Sequence, residues 1–542
     1  MPDRKDEATK PVETVTLTID DQTITVPKGT TILHAAETVG TRVPHYCYHA
    51  GLSAPAICRL CLVEVEKAPK LVPACVTQVA EGQVVHTQSD KSLAMRRGVL
   101  EFYLQNHPLD CPICDQSGEC KLQDYAHAEG RFHGRGKEPK RVFGRDDFGG
   151  DVLFYGDRCV MCTRCVRFMN EVEQEPRLTV VERGDRAIID TFFEEGLEGT
   201  NYHGNIVDIC PVGALISKDF LFKQRAWDLD RTPSVCPSCS QGCNIELHAR
   251  DDLVQRLKPR MNLDVNAYWM CDYGRLNYEW INRGDRIEVP LVRKEQGTRA
   301  TGWREALADL LQRLDAGPVR VVVSPRLSNE GLGTVRALVD QLGGGEIVYR
   351  SERAADEIPL KGFPKLVRRR DLVPNVNGAA LLDMERTGGE DGDGGLEAFA
   401  AHTGVLFVVG DDLSDQPASF GEGALLYVYL GTHPSEAAAH AHFVLPLTTF
   451  AEQEGSFTNH ENRVQRFWPA LEPPGVARPT WLVLGALLAE RTGSRPPTSA
   501  AAAFEAIPAF GGLTYEQIGT RGARPAPDRL EPAGASTRGE RA

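Results

Sequence analysis

Beyond Cys271 the sequence has no cysteine, although fifteen lie between Cys47 and Cys271. Thiol chemistry is therefore confined to the N-terminal half, and the C-terminal half has no thiolate to offer a metal. The sequence also lacks the run of about 18 apolar residues that a membrane-crossing helix needs. Its start, Met1-Pro2-Asp3-Arg4-Lys5-Asp6-Glu7, has neither the apolar core of a signal peptide nor paired arginines for export. A cytoplasmic location is expected, with any membrane association arising through partners. A basic surplus is missing as well. Against 75 Asp and Glu stand 61 Lys and Arg, a formal charge of −14, which argues against a nucleic-acid partner.

What is present is an ordinary soluble composition, 42% hydrophobic and 25% charged, over 542 residues. That length suggests roughly three to five domains. Residues 14–26 alternate apolar and polar about Asp20-Asp21 and predict a β-hairpin. Gly29-Thr30-Thr31 opens a short helix closed by Gly40, and strands are expected at 62–65 and near Val84-Val85. Residues 91–106 have helical periodicity, whereas 128–150 reads as a linker or surface loop. From Gly317 onward, apolar strands (319–324, 346–350, 405–410, 425–431, 442–446) alternate with a helix over 329–342 and further helical or loop segments. This pattern predicts a parallel α/β sheet, interrupted by a loop at 387–395. The tail beyond 495, rich in Ala, Pro and Arg, is expected to be disordered.

An odd cysteine count in a reducing compartment suits a disulfide framework badly. Spacing sorts the cysteines instead. Cys47-x10-Cys58-x2-Cys61-x13-Cys75 places three thiolates on one loop and a fourth nearby, enough for a [2Fe–2S] unit. His45 and His49 read as ordinary loop residues there. Cys111-x2-Cys114-x5-Cys120 is one ligand short of a set, and His107 lies one turn upstream. Imidazole in place of thiolate would remove one negative charge and raise that cluster's potential. Cys159-x2-Cys162-x2-Cys165, closed by Cys210-Pro211, curls three thiolates toward one [4Fe–4S] cube. Cys236-x2-Cys239-x3-Cys243-x27-Cys271 supplies four more thiolates, for a cube or for zinc. With His107, every cysteine has a place.

The motifs HPLDCPICDQSGEC (107–120), RCVMCTRCVRF (158–168), DICPVGAL (208–215) and SVCPSCSQGC (234–243) resemble those of the large iron–sulfur subunit of bacterial NADH-quinone oxidoreductase (respiratory complex I). The likeness covers about residues 14–300. It implies an α+β and α/β multidomain fold: a β-grasp [2Fe–2S] ferredoxin-like domain (14–92), a one-histidine/three-cysteine [4Fe–4S] domain (93–132), a [4Fe–4S] ferredoxin-like domain (133–228) and a molybdopterin-oxidoreductase-type [4Fe–4S] domain (229–290). A vestigial molybdopterin-oxidoreductase α/β domain (291–495) would follow. The implied cofactors are one [2Fe–2S] and three [4Fe–4S] clusters, without molybdopterin or flavin. The implied partners are a flavin- and NADH-binding subunit, a thioredoxin-like [2Fe–2S] subunit and downstream cluster and quinone-site subunits. The implied place is the peripheral arm, on the cytoplasmic side of the plasma membrane. SPRLSNE (324–330), VLFVVGDD (405–412) and FAEQEGSFTNHENRVQRF (450–467) resemble molybdopterin oxidoreductases more loosely. Tyr273 stands where pterin enzymes carry a lysine, and no cysteine is left to hold molybdenum. A formate dehydrogenase-like molybdenum enzyme is the rival reading. An [FeFe]-hydrogenase would need cysteines after residue 300, and a purely structural zinc scaffold is the bland alternative.

Overall fold

The computed structural model describes residues 13–295, 297–387, 395–411 and 413–525. The loop expected at 387–395 and the last residues of the tail, 526–542, fall almost wholly outside them. Two compact units divide the chain between Asp228 and Leu229, the first also taking in Lys361–Phe363.

The first unit opens with the expected hairpin, Thr14–Ile19 paired antiparallel to Gln22–Pro27. Asp20 and Asp21 turn it with φ of 43° and 69°. A parallel partner, Val84–His86, then Leu62–Val65 and Val72–Pro73, complete a five-stranded sheet. The helix Ile32–Thr38 is capped by the Thr31 side chain and buries Ile32, Leu33, Ala35 and Ala36. Its core also holds Leu17, Val63 and Val85 together with Cys61 and Cys75, so this packing sets the first ligand loop. The helix Asp90–Asn106 ends at His107, whose backbone is already extended. A three-stranded antiparallel sheet of Leu215–Ser217, Val152–Tyr155 and Arg145–Asp147 follows. The last of these strands lies within the stretch expected to be a linker. This sheet brings Cys159, just after one strand, close to Cys210, just before another.

In the second unit, Asp230–Val235, Asn244–Arg250 and Leu253–Pro259 form an antiparallel sheet. The turn between its first two strands carries Cys236, Cys239 and Cys243. The parallel sheet is present. In order run Phe443–Pro446, Leu426–Gly431, Val405–Val409, Val319–Val323, Gly345–Tyr349 and Glu385–Arg386, all parallel, with the antiparallel hairpin Leu291–Lys294/Gly297–Ala300 at one edge. Val405–Val409 and Leu426–Gly431 are buried at every position, as strands covered on both faces must be. Val321, Phe407 and Val428 pack on one face against Leu332, Leu338 and Leu484; Val322, Val408 and Tyr427 pack on the other with Phe399 and Phe420.

One expectation is corrected. Residues 496–525 are ordered: the helices Ala500–Glu505 and Tyr515–Ile518, with the helical turn Pro508–Phe510 between them, bury Phe504, Phe510, Tyr515 and Ile518 in the main core. The Ala-, Pro- and Arg-rich composition hid these widely spaced apolar anchors. Tyr515 donates to the Glu330 carboxyl at 2.7 Å, which also accepts from the Ser456 backbone at 3.0 Å and its hydroxyl at 2.6 Å. Burial pushes the Glu330 pKa up, so losing a donor there is costly. Tyr515→Phe is expected to lower unfolding stability by about 1–3 kcal/mol in urea titrations; an unchanged midpoint would show that the tail is only loosely held.

Candidate metal centres

Each ligand set is built by a loop whose backbone bends back on itself. In the first loop Ala56 and Arg59 adopt φ of 53° and 55°, and in the third Met161 and Thr163 adopt 48° and 58°. These left-handed residues turn successive cysteines toward one side. Backbone amides also point at sulfur: Tyr46 N–H at Cys58 Sγ (3.5 Å), Met161 at Cys159 (3.4 Å) and Gly274 at Cys271 (3.3 Å). Such bonds favour the thiolate form that binds iron.

The first set is buried, and its thiols are hydrogen-bonded to one another. Cys58 and Cys75 donate to Cys47, holding it well below the usual thiol pKa and raising their own; Cys75 likewise lowers Cys61. His45 bonds the Val43 carbonyl at 2.9 Å, and His49 accepts from the Gly51 amide at 3.1 Å. Burial lowers their pKa values to about 4 and about 3.

In the second set Cys114 and Cys120 are buried and Cys111 is exposed, between exposed Leu109 and Ile113. Burial raises Cys114, and takes Cys120 to about 11. Cys114 interacts electrostatically with Cys111, and Cys120 with Cys114. His107 shares Arg158 with Cys114, but its ring makes no hydrogen bond to the three thiols. Burial, then Arg158, lowers His107 to about 4, so the imidazole is neutral at physiological pH, the form that binds metal.

The four cysteines of the third set line one small cavity closed by Phe154, Ile189, Val212 and Leu215. In the fourth, Cys236 N–H bonds the Cys243 carbonyl at 2.8 Å, and Cys271 caps the helix Asp272–Leu276. Burial raises all eight thiols, Cys162 to about 11 and Cys236 to about 12. Loading such sites must expel protons.

Two glycines test whether an inorganic group fits. A Cβ on Gly274 would lie 3.0 Å from Cys236 Sγ and 3.4 Å from Cys271 Sγ, and one on Gly213 only 2.2 Å from Cys114 Sγ. Both backbones leave room for sulfur ligands that no side chain could share. Thiolates with one imidazole are the donors iron–sulfur clusters take. Among the described residues no three His, Cys, Asp or Glu donors converge on a single-ion point.

The sets themselves converge in a way the spacing did not reveal. Tyr46 packs its ring on Tyr103 (5.2 Å between centroids) and Tyr125 (5.6 Å), and interacts with both Cys58 and Cys120. Lys121 N–H bonds the Pro211 carbonyl at 3.0 Å, joining the second set to the third. Arg164 and Arg167 reach from the third set to the loop of the first. Three sets thus share one unit. The fourth lies in the other, where Tyr273 is within electrostatic reach of Cys236, Cys239, Arg326 and Glu352.

Comparison with known families adds names to these segments. Family models match as a 2Fe-2S iron-sulfur cluster binding domain (12–90), an NADH-ubiquinone oxidoreductase-G iron-sulfur binding region (96–135) and an NADH-quinone oxidoreductase subunit 3 ferredoxin-like domain (149–216). A molybdopterin oxidoreductase Fe4S4 domain (229–283) and a molybdopterin oxidoreductase domain (377–490) also match. The NADH-quinone oxidoreductase G subunit of Rickettsia felis is 37% identical over 61% of this chain and 49% of its own. The NADH dehydrogenase [ubiquinone] iron-sulfur protein 1 of Solanum tuberosum is 40% identical over 62% of this chain and 46% of its own. The chain thus spans about half the length of these curated relatives. The mitochondrial NADH-ubiquinone oxidoreductase 78 kDa subunit of Candida albicans is 30% identical over 89% of this chain and 83% of its own.

Proposed function

The chain belongs to the family of the NADH-quinone oxidoreductase G subunit and the mitochondrial 78 kDa subunit, and on that premise we propose that it is an electron-carrying subunit of an NADH-quinone oxidoreductase. Cys47, Cys58, Cys61 and Cys75 would hold a [2Fe–2S] cluster. Three [4Fe–4S] clusters would be held by His107 with Cys111, Cys114 and Cys120, by Cys159, Cys162, Cys165 and Cys210, and by Cys236, Cys239, Cys243 and Cys271. When bound, such clusters take up and hand on one electron at a time. The residues of this chain fix the spacing of the sites, exclude water from the buried thiolates and aim backbone amides at sulfur.

The observation that carries this reading is the convergence of the first three ligand sets in one unit, bridged by Tyr46, Lys121, Arg164 and Arg167. A wire needs closely spaced sites; independent structural metals do not. Electrons would enter from a flavin- and NADH-binding partner and leave toward downstream cluster subunits and quinone, with a thioredoxin-like [2Fe–2S] subunit also in the complex. The chain would sit in the peripheral arm, on the cytoplasmic side of the membrane. Among the described residues no helix is long and apolar enough to cross a bilayer, so the membrane would be reached through partners.

The C-terminal sheet also has a crevice, at the ends of three of its strands, where Ser324, Arg350 and Asp411 stand. Ligands of open α/β sheets bind in such places. No cysteine lines it, which favours the electron-carrier reading over the formate dehydrogenase-like alternative. The full chain, titrated with NADH and with flavin mononucleotide, is expected to bind neither; stoichiometric binding of either would overturn the division of labour proposed here.

A further inference from the structure

Arg164 and Arg167 are among the most enclosed charges of the first unit, 4% and 9% exposed. Both sit on the helical segment that carries Cys165. Arg167 Nη2 donates to the Cys47 carbonyl at 2.6 Å and to the Cys162 carbonyl at 3.2 Å, Nη1 donates to the Ser53 carbonyl, and Nε lies 3.3 Å from Thr163 Oγ1. Arg164 Nη1 donates to the Ile209 carbonyl at 2.9 Å, and Nη2 to the Tyr48 carbonyl. One turn further on, Glu171 accepts from the Ser53 amide at 2.8 Å and from its hydroxyl at 2.5 Å. Residues spaced by three and four along one helical face therefore grip the 47–53 loop. One ligand loop is clamped to another.

Among the described residues neither guanidinium forms an ion pair with a carboxylate. A buried cation without a counter-ion is costly, and backbone carbonyls offset only part of that cost. Arg164 interacts electrostatically with Cys162, Cys210 and Cys47, which come from two different ligand sets and would be negative as cluster-bound thiolates. We propose that Arg164 and Arg167 form a shared cationic bridge that raises the reduction potentials of the first and third sets together while fixing their separation. One electron arriving at either set adds one negative charge beside the same fixed cations, with no bond made or broken. Interaction across a water-poor interior is strong enough for both sets to feel it. The fork of Arg167 suits the clamp, because its bonds leave from three nitrogens held in one plane, whereas a lysine has a single nitrogen to offer.

This inference rests on the cluster reading of the first and third sets, and the two fail differently: iron content reports the reading, midpoint potentials report the bridge. In the full chain, reduced with dithionite through mediators, EPR signals of the two sets are assigned with Cys58→Ala and Cys162→Ala. Arg167→Gln is expected to keep its iron and to shift both midpoints negative, leaving the second and fourth sets in place. Arg167→Lys, which keeps the charge, is expected to shift them less. Unchanged midpoints in Arg167→Gln, or an equal shift at all four sets, would overturn the bridge. Should Arg167→Gln lose iron, Arg164→Gln is read in the same way. Loss of iron from these sets in both glutamine variants would reduce the pair to a purely structural clamp.

Discussion

Gly213→Ala is expected to strip the second ligand set of the cluster proposed for it. The added Cβ would stand 2.2 Å from Cys114 Sγ and 3.0 Å from the Gln116 Cβ, well inside contact distance. The sulfur is the end of a short side chain with one rotatable bond, so it can yield only by swinging away from its place. Gly213 lies three residues beyond Cys210, in the turn that leads into the strand Leu215–Ser217. That strand pairs with Val152–Tyr155 and cannot retreat without breaking the sheet. About four of about 14 irons are expected to leave, and one reduced-state EPR signal with them, while the third set keeps its own. Full iron in the variant would mean that Cys114 is not a ligand.

His107→Cys is expected to keep the proposed cluster and lower its potential, and His107→Ala to lose it. A thiolate in place of imidazole adds one negative charge to the site, which disfavours taking up another electron. The residue ends the helix Asp90–Asn106 with an extended backbone, in position to turn toward the loop of Cys111, Cys114 and Cys120. Arg158, buried and bonded to Asp110 at 2.9 Å, lies between His107 and Cys114 in electrostatic terms. The expected readout is a negative shift of a single EPR midpoint in the cysteine variant and its disappearance in the alanine variant. If both variants match the parent protein, the set takes its fourth ligand from elsewhere.

The candidate ligands were legible because iron–sulfur loops demand cysteines at fixed short spacings, which a sequence displays directly. Strands such as Val405–Val409 were legible for a similar reason, as continuous apolar runs fit only a sheet covered on both faces. The antiparallel sheet carrying Cys236 and Cys243 was not, because Asp230–Val235 mixes charges and a proline with its apolar positions. Phe504, Phe510 and Tyr515 were missed because single aromatics in an Ala- and Pro-rich stretch show no local period. Arg164 and Arg167 stand in plain view within RCVMCTRCVRF. Their role could not be read there, since their partners, Cys47, Tyr48 and Ser53, lie more than a hundred residues away. Gly213 is silent for the same reason: only the folded chain places Cys114 against it.

The proposed electron carriage by four iron–sulfur clusters is tested most directly by the metal content of the chain, purified without oxygen and analysed for iron, acid-labile sulfide, zinc and molybdenum. About 14 irons and as many sulfides per chain, with no molybdenum, are expected. Zinc in place of iron in the four-cysteine sets, or stoichiometric molybdenum, would contradict it.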